Sequence, residues 1–141
     1  MDLETRQNKQ VILPHQNTRQ TIEKKAISVL AEKGYDASSM REIAEASGVT
    51  KPVIYYYFQS KENLCQHIIR SGLEDFRQQI KEICEAPTND VLSLLVWAVK
   101  AHFDYCKERT DCARFVYAIN FGPEKQKIDY DFHSYGEELF R

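Results

Sequence analysis

The stretch SSMREIAEASGVTKPVIYYYFQSKENL, residues 38–64, decides how this chain folds. It holds two short helical patterns joined by Gly48-Val49-Thr50, and the second carries three consecutive tyrosines. Successive helical residues step by about 100°, so Tyr55, Tyr56 and Tyr57 fan over roughly 200° and cannot all enter one core. On that wheel Ile54 and Phe58 point one way, and Pro52, Val53 and Tyr56 point the opposite way. Tyr55 and Tyr57 sit on the flanks, with Lys51 beside Tyr55. A short helix of this kind buries two residues and offers phenol hydroxyls and an ammonium group to a partner.

Local chemistry fixes the surroundings. Ser39-Met40-Arg41-Glu42 is a capping-box sequence, and Ile43 and Ala44 face inward behind it. Gly48 supplies a left-handed residue for a sharp turn, and Val49 plugs that turn. Thr50 is the expected cap of the next helix, whose first turn tolerates Pro52 because amides there lack intrahelical partners. Phe58 ends it, Gln59 links, and Ser60 caps a long helix with Leu64, Ile68, Ile69, Phe76, Ile80 and Ile83 on one side.

Upstream, residues 1–16 read as a flexible leader. A first helix is expected from Asn17 or Thr18, with Ile22, Ala26, Val29 and Leu30 at helical spacing and Gly34 as its stop. Tyr35 is expected to tuck beneath it. Downstream, Pro87 breaks the long helix. Residues 91–103 are apolar almost all round, which predicts a central buried helix. A further helix is expected over 111–121, stopped by Gly122-Pro123, then a polar loop over 124–131 and a last helix from Phe132. No strand alternation occurs, so the fold class is all-α.

The chain has 141 residues and a net charge of −2, which argues against nonspecific polyanion binding. Residues 1–64 hold nine basic against eight acidic side chains and the remainder ten against thirteen. DNA contact would therefore depend on placed residues. No secretory signal pattern and no membrane-length apolar run is present, and the expectation is a soluble, cytoplasmic protein. Cys65, Cys84, Cys106 and Cys112 lack paired spacing and read as reduced, buried thiols. No acid–base pair, nucleophile–base set or phosphate loop stands at useful spacing, so an enzyme is the least favoured class and no cofactor is expected.

Three helices, the second and third joined by a tight glycine turn, make a helix-turn-helix. An exposed helix fits the major groove of double-stranded DNA, with hydroxyls and amines at the rim gripping phosphates. Arg41 and Lys51 are candidates for guanine or phosphate, and Pro52 with Val53 for apolar base contact. Arg41 could instead only pair with Glu45, and Tyr55 could be core. Tyr55, Tyr56, Tyr57 and Lys61 read as phosphate clamps, and Thr50 as cap and phosphate donor.

Several blocks at fixed spacing resemble the N-terminal domain of the tetracycline-repressor (TetR) family. They are Thr18-Arg19, Ile22, Ala26, residues 30–35, residues 40–44, residues 48–51, residues 55–58 and residues 60–64. The resemblance covers about residues 18–64. It implies a sequence-specific DNA-binding transcriptional regulator, a repressor released by a small-molecule effector. It further implies a head over 17–64 and a partial effector-binding and dimerisation body over 65–141, working as a homodimer on an operator. Carried over by position, DNA contact falls on Arg41, Thr50, Lys51, Pro52, Tyr55, Tyr56, Tyr57 and Lys61. Family members generally continue into two more long helices, so the body is expected to be incomplete. The alternative is an interaction protein that pairs with another regulator without gripping DNA itself.

In the body, Trp97, His102, Phe103, Phe115, Tyr117 and Asn120 are candidate lining for a mostly apolar effector pocket, or else packed core. His102 and Cys106 at i, i+4, with Cys112 and His133, could form a metal-sensing cluster, but the spacing matches no standard site.

Overall fold

The computed structural model describes residues 14–88, 90–123 and 128–139. In chain order the helices are α1 (Pro14–Ala37), α2 (Met40–Ser47), α3 (Lys51–Tyr57), α4 (Lys61–Cys84), α5 (Val91–Glu108), α6 (Thr110–Phe121) and α7 (Phe132–Leu139). No strand occurs among the described residues. Residues 1–13, most of the expected leader, and residues 124–127 of the expected loop lie outside the described residues.

α1 starts earlier than expected, at Pro14, where a fixed φ and a missing amide suit a first turn. Gly34 interrupts it as expected: at φ 80°, ψ 174° the backbone is not helical there, and a separate short helical stretch follows as far as Ala37. Ser39 and Glu42 close the capping box in both directions, the Ser39 hydroxyl accepting from the Glu42 amide at 3.2 Å and Glu42 accepting from the Ser39 amide at 3.0 Å. At the other end of α2, Gly48 sits in the left-handed region at φ 68°. There the Val49 amide donates to Ala44 and the Gly48 amide to Glu45, the paired bonds of a Schellman turn.

Thr50 departs from expectation in one respect. It occupies the cap position of α3 with extended backbone, but its side chain makes no capping bond. Ser60 does cap α4, accepting from the Asn63 amide at 3.0 Å.

α1 packs against α2 and α6, α3 against α2, and α4 against α5 and α6. Ile22, Ile43, Ile54, Leu64, Ile69 and Ile119 are wholly buried, and one continuous apolar cluster joins helices of the head to α6. Each such side chain contributes roughly 1.5–3 kcal/mol by leaving water. Leu64 and Cys65, at the expected boundary between head and body, lie inside this shared cluster and inside α4.

The expectation of a central buried helix fails at α5. Val91, Leu92, Leu95, Val96, Trp97, Val99 and Phe103 are all exposed. Its neighbours α4 and α6 cover only the stripe running through Leu94, Ala98, Ala101 and Tyr105. A second stripe, Leu92, Val96, Val99 and Phe103, repeats the same spacing about 160° round the helix and faces solvent. All-round hydrophobicity reports helix surfaces suited to burial, and here one of the two is uncovered.

Candidate nucleic-acid interface and body cavity

The glycine turn holds α3 on α2 by two inward anchors, Ile54 at 0 % and Phe58 at 3 % exposure. The opposite side of the short helix is thereby forced outward. Tyr56 is 78 % exposed and Tyr55 41 %, while Tyr57 is half-buried and packs on the core. Tyr56 and Tyr57 meet edge to face at 5.2 Å, which braces the exposed phenol. Lys51 and Pro52 are exposed at the start of α3, beside the exposed Thr50. The structure thus gathers Thr50, Lys51, Pro52, Tyr55 and Tyr56 on one surface, with Tyr57 at its margin.

Arg41 stands on α2 with its side chain 78 % exposed and donates to Glu45 at 2.9 Å. An exposed i, i+4 pair of this kind is screened by water and holds its arginine weakly, so the guanidinium can exchange to a stronger anion.

Lys61 is the departure. Its ammonium turns inward and donates to the carbonyls of Tyr35 at 2.6 Å and Ser38 at 2.9 Å, lying over the Tyr35 ring at 4.1 Å. It closes the frayed end of α1, a role that sequence spacing alone could not display because the partners lie more than twenty residues away.

Two further contacts brace the head. Lys33 pairs with Glu42 at 2.7 Å, tying α1 to α2 and holding the Glu42 carboxyl below its usual range. His67 of α4 faces Glu23 at 2.9 Å through Nε2 and Arg19 at 3.2 Å through Nδ1.

In the body, a cavity of about 240 Å³ opens between α4, α5, α6 and α7. Gly72, Leu73 and Phe76 of α4 form one wall, and Cys106, Tyr117 and Asn120 bring polar atoms to the other. Tyr105 donates to the Gly72 carbonyl at 2.8 Å, and burial pushes its phenol well above the ordinary range. Burial likewise raises the Cys112 thiol.

Of the six expected lining residues, Tyr117 and Asn120 line this cavity. His102 supports it from behind through Tyr117 and Cys106. Trp97 and Phe103 are instead exposed on α5, and Phe115 is core at 2 % exposure. Sequence reading missed Gly72, whose only signal is its place on the buried side of α4, in line with Cys65, Ile68 and Ile69. A Cβ there would stand 2.9 Å from Cys112 Sγ.

The suggested metal cluster does not assemble. His133 faces Glu137 at 3.4 Å, away from His102 and Cys106, and no group of three or more metal-binding side chains converges among the described residues.

A capping-box helix, a Schellman turn and an exposed tyrosine-bearing helix define a helix-turn-helix protein of the all-α type. The family model described as bacterial regulatory proteins, tetR family, matches residues 22–68. The transcriptional activator FasR of Mycolicibacterium smegmatis is 28 % identical over 114 residues, 81 % of this chain and 52 % of that protein. The transcriptional repressor KstR2 of Rhodococcus jostii is 36 % identical over 58 residues, 41 % of this chain and 28 % of that protein. Among solved structures, the TetR-family regulator PfmR of Thermus thermophilus superposes with a TM-score of 0.63 at 26 % identity, covering 74 % of this chain and 57 % of that one. Over its helix-turn-helix segment the chain is therefore similar to the tetR family of bacterial regulatory proteins. It spans about half the length of the curated relatives it matches first. No described helix is long and apolar enough to cross a membrane.

Proposed function

We propose that this chain is the DNA-reading part of a transcriptional regulator that binds a specific duplex through α3. The observation that carries this reading is the outward surface of α3, where Thr50, Lys51, Pro52 and Tyr56 stand exposed on a helix anchored by Ile54. Lys51 and Arg41 approach guanine edges or phosphate, Pro52 and Val53 meet base methyl groups, and the phenols with the Thr50 hydroxyl hold the backbone. Because one helix reads only a half-site, the working unit is a homodimer with heads about one DNA turn apart. The uncovered stripe of α5 supports pairing through the body.

A small molecule entering the α4–α6 cavity acts on the helix that carries the head, and so shifts the balance between DNA-competent and incompetent arrangements. The relatives' names include both an activator and a repressor, and we propose repression relieved by the ligand.

The test is fluorescence anisotropy of the purified chain against its own upstream DNA and a random duplex, at two salt concentrations. Selective binding that weakens with salt and collapses in both Lys51→Ala and Tyr56→Ala supports the reading. A helical protein that binds neither duplex, and still binds neither after fusion to a dimeric coiled coil, overturns it. That second outcome would favour a partner-binding protein using the α5 stripe.

A further inference from the structure

We propose that Cys106, His102 and Tyr117 form a covalent capture site for small apolar α,β-unsaturated carbonyl compounds at the edge of the body cavity. The assignment gives that cavity's proposed ligand a chemistry, and rests on the cavity admitting one.

Three observations carry it. Cys106 Sγ lies 3.8 Å from His102 Nε2, on successive turns of α5, which places a proton acceptor beside the thiol. The same Nε2 lies 2.7 Å from the Tyr117 hydroxyl, so the imidazole is held in one orientation by α6 and not by Cys106 alone. Phe76 fixes it further, edge to face at 5.3 Å. Finally, Cys106, Tyr117 and Asn120 open onto a cavity whose other surfaces include Leu73, Phe76 and Val116. At about 240 Å³ it is smaller than most drug-sized sites, and it selects a compact, apolar molecule with one polar end. Tyr117 is 43 % exposed, so the polar end of the cavity is reachable from solvent.

Of the other thiols, Cys65 and Cys112 are buried and Cys84 is exposed.

The chemistry balances without an oxidant. His102 Nε2 takes the Cys106 proton as the Tyr117 hydroxyl gives up that lone pair and instead accepts from the new Nε2–H, and the thiolate adds to the β-carbon of the unsaturated carbonyl, forming a C–S bond. The C=C electron pair moves toward the carbonyl oxygen, where the Asn120 amide and the Tyr117 hydroxyl can donate to the developing enolate. His102 then returns its proton to the α-carbon. The product is a saturated thioether, and nothing leaves.

The experiment uses cyclohexenone as electrophile and cyclohexanone as its unreactive shape analogue, with intact-mass and peptide-mapping readouts. These read the adduct, not DNA binding, so failure here is separate from failure of the proposed DNA reading. The half-buried Cys106 is expected to react at least about tenfold faster than the exposed Cys84. Cyclohexanone should protect Cys106 and leave Cys84 unprotected. His102→Gln, with helicity checked by circular dichroism, should slow Cys106 by a similar factor while Cys84 is unchanged. Cys106 reacting no faster than Cys84, or at the same rate in His102→Gln, overturns the capture site. Absence of protection by cyclohexanone overturns ligand entry into the cavity.

Discussion

Lys61, in the first turn of α4, donates its ammonium to the Tyr35 carbonyl at 2.6 Å and so joins the end of α1 to the start of the helix leaving the head. A cation at a helix start is unfavourable toward its own dipole, but it lies at the carbonyl end of α1, where a cation is favoured. The contact therefore belongs to α1 as much as to α4.

Lys61→Met should lower stability by about 1.5–3 kcal/mol, the range for hydrogen bonds to a charged group. Urea unfolding measures it. In DNA titrations the same variant should leave the salt slope unchanged, whereas Lys51→Ala should reduce it by about 0.9 for one lost phosphate contact. Equal reductions in both variants would return Lys61 to the DNA surface.

Ile54 and Tyr56 separate folding from recognition within a single turn. Ile54→Ala should cost about 2–5 kcal/mol, as for other buried truncations. Tyr56→Ala should change stability by less than about 0.5 kcal/mol while abolishing selective DNA binding. Thermal melts and anisotropy on the two variants check both halves.

Gly48→Ala forces a Cβ into the left-handed region, although the space around it is open. The penalty is therefore conformational, about 1–2 kcal/mol. Gly48→Asn, which tolerates that region better, should recover part of the loss in the same denaturation assay.

Glu42 carries a pH dependence. Its carboxyl is held low, chiefly by the Lys33 hydrogen bond and then by Ser39, so its contribution is present above the ordinary value of 4.5 and is lost as pH falls through the depressed folded value. Glu42→Gln should be less stable than the native chain at neutral pH, and the difference should shrink as pH drops below 4.5. Melting temperatures of both proteins across that range provide the check. A constant difference would mean that the ion pair contributes nothing.

The outward stripe of α5 predicts self-association. Val96→Glu with Val99→Glu alters two exposed positions of that stripe and should preserve helicity while shifting sedimentation toward monomer. A native chain that is already monomeric at high concentration would remove this surface from the proposed dimer.

What could be read in advance follows the range of the interaction. The capping box, the Gly48 turn and the inward pair Ile54 and Phe58 depend on residues within a few positions, and local chemistry specifies them. The same holds for the outward Tyr56. The inward contacts of Lys61 escape sequence reading because its partners, Tyr35 and Ser38, are brought near only by the packing of α1 on α4. At α5 the failure was of another kind: apolar periodicity identifies surfaces able to be buried, but not whether a neighbour exists to bury them. The cavity was half legible for that reason as well. Tyr117 and Asn120 advertise themselves as polar groups in an apolar helix, whereas Gly72 matters only through the side chains that crowd against it.

α4 is 24 residues long, about 36 Å of unbroken helix at the usual rise. Its first turns share the head's apolar cluster, and Gly72 and Phe76 further along it border the cavity. Such a helix behaves as a lever arm. A tilt of about 5° pivoting at its far end would carry Lys61 sideways by roughly 3 Å over that length. Displacements too small to disturb the cavity's packing can therefore arrive at the head as a change comparable to a hydrogen-bond length.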